Sequence, residues 1–123
     1  SFDGLTSLTH LSLAANRIIT IDSNAFRSLS SLKNLLLNNN KLTQVDSNLL
    51  KPLQKLANLD LAFNQVNKLA LNAFSSCAKL ETLSLKNNNI SQIELATFSG
   101  LNSLKSLNLE TNQIKLFVVV FFD

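Results

Sequence analysis

Leucine returns in this chain at a fixed interval of 24 residues, and a period of that length dictates a stacked architecture. Leu8, Leu32, Leu56, Leu80 and Leu104 begin the pattern. Three residues on stand Leu11, Leu35, Leu59, Leu83 and Leu107, and two further on Leu13, Leu37, Leu61, Leu85 and Leu109. One polar column follows: Asn16, Asn40, Asn64, Asn88 and Asn112. Then come Ile18, Leu42, Val66, Ile90 and Ile114, and after them Ile21, Val45, Leu69, Ile93 and Phe117. An aromatic column holds Phe2, Phe26, Phe74, Phe98 and Phe122, with Leu50 in the third place, and a last column holds Leu5, Leu29, Leu53, Cys77 and Leu101. The seven apolar columns have 36 positions, and all 36 are apolar. The chain divides into a lead-in 1–7, four full repeats (8–31, 32–55, 56–79, 80–103) and a shorter repeat 104–123, together one domain.

Within each repeat the Leu-x-Leu alternation predicts a short strand with one buried face. Strands reached by a one-way circuit must lie parallel, about 4.8 Å apart. The return leg brings the aliphatic and Phe columns under the strand, so one core runs along the stack. The Asn column falls inside that core. Its amides can serve backbone groups freed where the chain leaves the strand, each coil bonding to its neighbour as a structural ladder. The backbone breakers Gly4, Pro52 and Gly100 share a single column with Ser28 and Ser76, which predicts a tight turn on the return leg.

The run Leu80-Glu81-Thr82-Leu83-Ser84-Leu85-Lys86-Asn87-Asn88-Asn89-Ile90 reads Leu-x-x-Leu-x-Leu-x-x-Asn-x-Ile, and across its five occurrences the chain resembles the leucine-rich repeat family. The 24-residue length and the Phe column are similar to the "typical" subclass of Toll-like receptors, Slit-type proteins, small proteoglycans and lamprey variable lymphocyte receptors. The resemblance implies an α/β-type repeat solenoid, an arc with a short parallel sheet on its concave face and an irregular or 3-10 convex side. It also implies a non-catalytic module from an extracellular or cell-surface receptor, of the kind used in innate immunity, that binds a protein or other macromolecule. The cysteine-rich caps that usually close secreted members are missing, so the chain reads as a fragment with open ends.

Composition narrows the chemistry. One cysteine excludes a disulfide framework and a multi-cysteine zinc site, and one histidine argues against a His-based metal centre. Cys77 takes a leucine place in the core and reads as an inert thiol. His10, Ser12 and Asp60 have the residue types of a hydrolase triad, but Asp60 belongs two strands away, at about 10 Å. No catalytic residue, metal site or cofactor is expected. The net charge of +3 comes from lysines and arginines that fall mostly outside the sheet face, where only Lys86 stands, so a nucleic-acid groove is not expected. Ser1 to Asn16 lacks the basic start and apolar run of a signal peptide. The apolar run Leu116 to Phe122 is far shorter than the roughly 20 residues of a spanning helix.

Because the inward leucines are occupied, the free positions beside them form the candidate binding surface. The first column is His10, Asn34, Asn58, Thr82 and Ser106; the second Ser12, Leu36, Asp60, Ser84 and Asn108; the third Ala14, Asn38, Ala62, Lys86 and Glu110; the fourth Ala15, Asn39, Phe63, Asn87 and Thr111. All four are expected to project from the sheet face. Leu36 and Phe63 are the apolar exceptions among amides and together resemble a small interaction hot spot. The other reading, preferred for Phe63, makes it an aromatic edge filler, and it leaves Leu36 open between hot spot and ordinary surface residue. The strip offers roughly 300 Å² against the about 800 Å² per partner of a stable interface, so rims or loops must add to it. Asn89-Ile90-Ser91 is an acceptor sequon, with Asn89 expected at the surface. At the far end Val118, Val119, Val120 and Phe121 put apolar side chains where other repeats are polar. They read as an improvised cap, as a self-association strand or as a scar of the gene model, and the first two make a scaffold that stacks through its open ends the alternative function.

Overall fold

The computed structural model describes residues 2–118. In chain order its elements are β1 (His10–Ser12), β2 (Asn34–Leu36), β3 (Gln44–Val45), α1 (Ser47–Leu50), β4 (Asn58–Asp60), β5 (Lys68–Leu69), β6 (Thr82–Ser84), β7 (Gln92–Glu94), a one-turn 3-10 helix (Leu95–Phe98), β8 (Ser106–Asn108) and β9 (Leu116–Val118). The main sheet runs β1-β2-β4-β6-β8, wholly parallel. Its register aligns Leu11, Leu35, Leu59, Leu83 and Leu107, so residues 24 apart are cross-strand neighbours and each sequence column becomes a physical row. The result is a parallel-strand solenoid, as the Leu-x-Leu spacing predicts.

The opposite side is more ordered than the irregular or 3-10 return leg expected from the resemblance. Beside the 3-10 turn it carries two short parallel pairs, β3 with β5 and β7 with β9. It also carries the single α-helical turn α1, which Asp46 caps: its Oδ1 accepts the Asn48 N–H at 2.9 Å. Asp22, one coil earlier, accepts the Asn24 N–H at 2.8 Å in the same manner. Gly100, in the breaker column, has φ +91°, and a Cβ there would lie 2.8 Å from the Ser75 carbonyl oxygen of the preceding coil. Only glycine permits that approach with that backbone.

Burial grades along the stack. Phe26, Leu29, Leu32, Leu35, Leu56, Phe74 and Leu80 are fully buried. Leu8, Leu11 and Leu13 in the first coil, and Leu104 and Leu109 in the last, are half-buried, and Leu107 is 38% exposed. Two aromatic contacts run along the Phe column, Phe2 with Phe26 at 6.0 Å between ring centroids and Phe74 with Phe98 at 6.2 Å, and Leu50 lies between them in sequence. Arg27 ties the lead-in to the first coil by a two-pronged ion pair with Asp3, at 3.1 and 2.9 Å. The cap or self-association strand read at Val118–Phe121 is described only as the backbone of β9, in which Val118 pairs with Glu94. Val119, Val120 and Phe121 lie outside the described residues.

Candidate functional site

Four of the five ladder asparagines, Asn40, Asn64, Asn88 and Asn112, share one geometry. The Nδ2 of Asn64 lies 3.1 and 3.3 Å from the Leu61 and Ala62 carbonyls of its own coil and 3.0 Å from the Leu37 carbonyl of the coil before. Its Oδ1 accepts the Leu42 N–H at 3.0 Å. Asn40 and Asn88 repeat the arrangement and, like Asn64, are buried. The ends depart from the buried column that the sequence suggests. Asn112 is half-buried, though its bonds are intact. Asn16 is exposed, with its amide on Leu13 and Ala14. An interior ladder residue thus satisfies backbone groups of two coils, which otherwise would be buried without partners.

The sheet face differs from the four free columns expected. Each strand of the main sheet is three residues long, so only the first two columns lie on strands. In the first column the side chains bond to one another: Asn58 Nδ2 donates to Asn34 Oδ1, and the Thr82 hydroxyl donates to Asn58 Oδ1. His10 contacts the Thr9 hydroxyl through Nδ1 at 2.9 Å. Asn34, Asn58 and Thr82 are therefore committed in part to a second polar row across three strands.

In the second column the side-chain oxygens close the turn after the strand. Asp60 accepts the Ala62 N–H and Asn108 accepts the Glu110 N–H, each at 2.9 Å. Ser12 and Ser84 accept more loosely, from Ala14 at 3.4 Å and Lys86 at 3.5 Å. Leu36 is the member with no oxygen to offer, and it is 38% exposed. The third column lies beyond the strands: Ala62 is buried, Asn38 and Lys86 are half-buried and Glu110 is exposed. The fourth column is a backbone feature, with Ala15, Asn39, Phe63, Asn87 and Thr111 all at φ between 53° and 59°. Phe63 occupies that left-handed position while 46% exposed. The second column thus serves the turns and is not free surface, a role that its recurrent Ser, Asp and Asn oxygens could have signalled; the left-handed column, with four residue types, offers no such signal.

Leu36, Asn58, Asp60, Thr82, Ser84 and Asn108 surround a shallow depression of about 290 Å³ on this face. His10, Ser12 and Asp60 are not brought together: β2 separates β1 from β4, and the oxygens of Ser12 and Asp60 are engaged in local turns. Asn89 is exposed, with its backbone N–H bonded to the Val66 carbonyl. Cys77 is buried, and burial pushes its thiol up from the ordinary value of 9.0 against a smaller opposing hydrogen bond from Ser76. Among the described residues no cluster of His, Cys, Asp and Glu could hold a metal ion, and no helix is long and apolar enough to cross a membrane.

No curated protein matches the chain. Among solved structures, the crystal structure of the leucine-rich repeat domain of APL1B is similar, with a TM-score of 0.83 and 28% sequence identity. The match covers 91% of this chain and 32% of that one, so this chain spans about a third of its neighbour's length. The family model described as Leucine rich repeat matches twice, over residues 6–66 and 54–114, in step with the stacked coils and their asparagine ladder, and the chain belongs to the leucine-rich repeat family.

Proposed function

We propose that the chain is a non-catalytic recognition module of an extracellular or receptor-type protein of the 24-residue "typical" subclass, contacting a protein partner through the sheet face around Leu36 and Phe63. Repeats of this family generally serve as protein-interaction modules. The observation that carries the reading is Leu36: in a row where every other member supplies an oxygen to close a turn, it exposes an aliphatic side chain instead. An exposed leucine beside the Asp60–Ser84 depression and flanked by amides suits the apolar centre of an interface with a polar rim. The face is small, so the rims beyond the strands, including Lys86 and Glu110, must contribute area.

A photo-reactive residue at position 36, with Lys51 on the opposite side as control, tests the proposal. The expected result is a discrete cross-linked protein from position 36 alone, lost with Phe63→Ser. Equal labelling from both positions, or none, would overturn it. An extracellular route is supported by the exposed Asn89 of the Asn-Ile-Ser sequon. Secretion from a eukaryotic host should yield a glycan-dependent mass shift that Asn89→Gln removes.

Self-association is a second reading, favoured by the exposure of Leu107 on β8, the last strand of the main sheet among the described residues. It expects a concentration-dependent mass in light scattering that Leu107→Lys abolishes; a strict monomer at high concentration rejects it.

A further inference from the structure

The Phe column is broken once. Phe2, Phe26, Phe74 and Phe98 supply rings to their coils, and the coil between Phe26 and Phe74 supplies Leu50. A leucine fills less of that space than a benzyl group, and close-packed neighbours relax only in part around the deficit. A cavity of about 90 Å³ lies at this point of the core. Leu37, Leu42, Leu50, Leu59 and Leu61 line it, each no more than 4% exposed. It reaches the surface beside Thr20 and Gln44, both exposed.

The wall chemistry selects the occupant. These five side chains offer no hydrogen bond, and among the described residues no buried side-chain nitrogen or oxygen lacks a partner. The aliphatic inner part of the wall therefore does not call for water, while the polar groups of Thr20, Gln44 and Asp46 belong to its outer part. Asp46 at the rim disfavours an anionic head group, while Thr20 and Gln44 can meet a neutral polar one. The volume is roughly three times the share of one water molecule in the liquid and smaller than the apolar cavities known to take benzene. We propose that this cavity binds a small neutral ligand through a short aliphatic chain of about three to four carbons, its polar end at the mouth between Thr20 and Gln44. The site is separate from the sheet-face surface and does not depend on it.

Titration of the full chain with the straight-chain alcohols from ethanol to hexanol, read by leucine methyl resonances, tests the site. Saturable shifts are expected at Leu42, Leu50 and Leu61, with Leu80 and Leu85 silent. Affinity should rise roughly fourfold per methylene until the cavity is full and then flatten. Leu50→Phe should abolish saturable binding, and Leu50→Ala should move the plateau to longer alcohols. Unsaturable shifts spread over all leucines, or an unchanged plateau in Leu50→Ala, would overturn the proposal, as would a folded Leu50→Phe variant that binds as the parent does. The parent chain and Leu50→Ala decide the matter even if Leu50→Phe does not fold.

Discussion

The coil at 56–79 and the coil at 8–31 carry the same columns, and they are physically unlike. Leu56, Leu59 and Leu61 are at most 2% exposed, whereas Leu8, Leu11 and Leu13 are half-buried. Asn64 is buried and serves two coils; Asn16 is exposed and serves its own. Identical chemistry therefore acquires its worth from position in the stack. An apolar side chain in a solenoid is removed from water by the coils on both sides, and with one neighbour it gains about half the contact.

The largest expected effect is the contrast between Leu59→Ala and Leu11→Ala. The first should cost about 3–5 kcal/mol, by lost transfer energy and a trapped cavity. The second should cost less than about 2 kcal/mol, because a half-buried site loses less and relaxes. Urea unfolding midpoints at constant m check this, and equal losses would break the comparison.

Next is Asn64→Ala, expected to cost about 2–3 kcal/mol by orphaning buried backbone groups, against less than about 1 kcal/mol for Asn16→Ala. The same unfolding measurement serves, and an unmoved midpoint for Asn64→Ala would remove the ladder from the stability of the fold.

Cys77 sharpens the contrast from inside the core. Its folded pKa is raised by burial, so its contribution is fully present below the ordinary thiol value of 9.0 and is lost as pH rises beyond it. Stability relative to Cys77→Val should fall above pH 9, by at most about 1.4 kcal/mol per pH unit, in unfolding curves recorded from pH 8 to 10.5.

The smallest effect is a gain. Phe63→Asn places a residue suited to φ +57° where a bulky one now sits, and should stabilise by up to about 1 kcal/mol. An unchanged or lower melting temperature would mean that the contacts of the ring outweigh the backbone cost.

What could be read from the residues was whatever repeats as a single chemistry. The leucine columns fix strand, register and inward face because hydrophobic alternation has one meaning in a stack, and the asparagine column announces a shared backbone need. The left-handed row was hidden because Ala15, Asn39, Phe63, Asn87 and Thr111 have a backbone angle in common and no side-chain property. In the sequence the Asn34–Asn58–Thr82 row has the pattern of free surface, because its bonds arise only once neighbouring strands bring the side chains within reach. The burial gradient was equally silent: a column tells which way a side chain faces, not how many coils lie beyond it. Leu36 and Phe63 were visible as apolar residues among amides, but the sequence did not reveal that one forgoes a turn-closing oxygen and the other holds a strained angle.

The asparagine ladder also has a direction. From Asn40 onward each amide reaches back to the preceding coil, and each carbonyl oxygen receives the N–H of that same coil, as Asn112 does for Ile90. The two ends therefore pose different problems to anyone extending or sealing the stack. A segment laid against the first coil needs only bare main chain, a carbonyl and an N–H, to engage the waiting Asn16. A segment laid against the last must carry its own asparagine, since the Ile114 amide meets no ladder oxygen among the described residues. Interchangeable caps would fail on this scaffold; a plain strand suits one end and an amide-bearing turn the other.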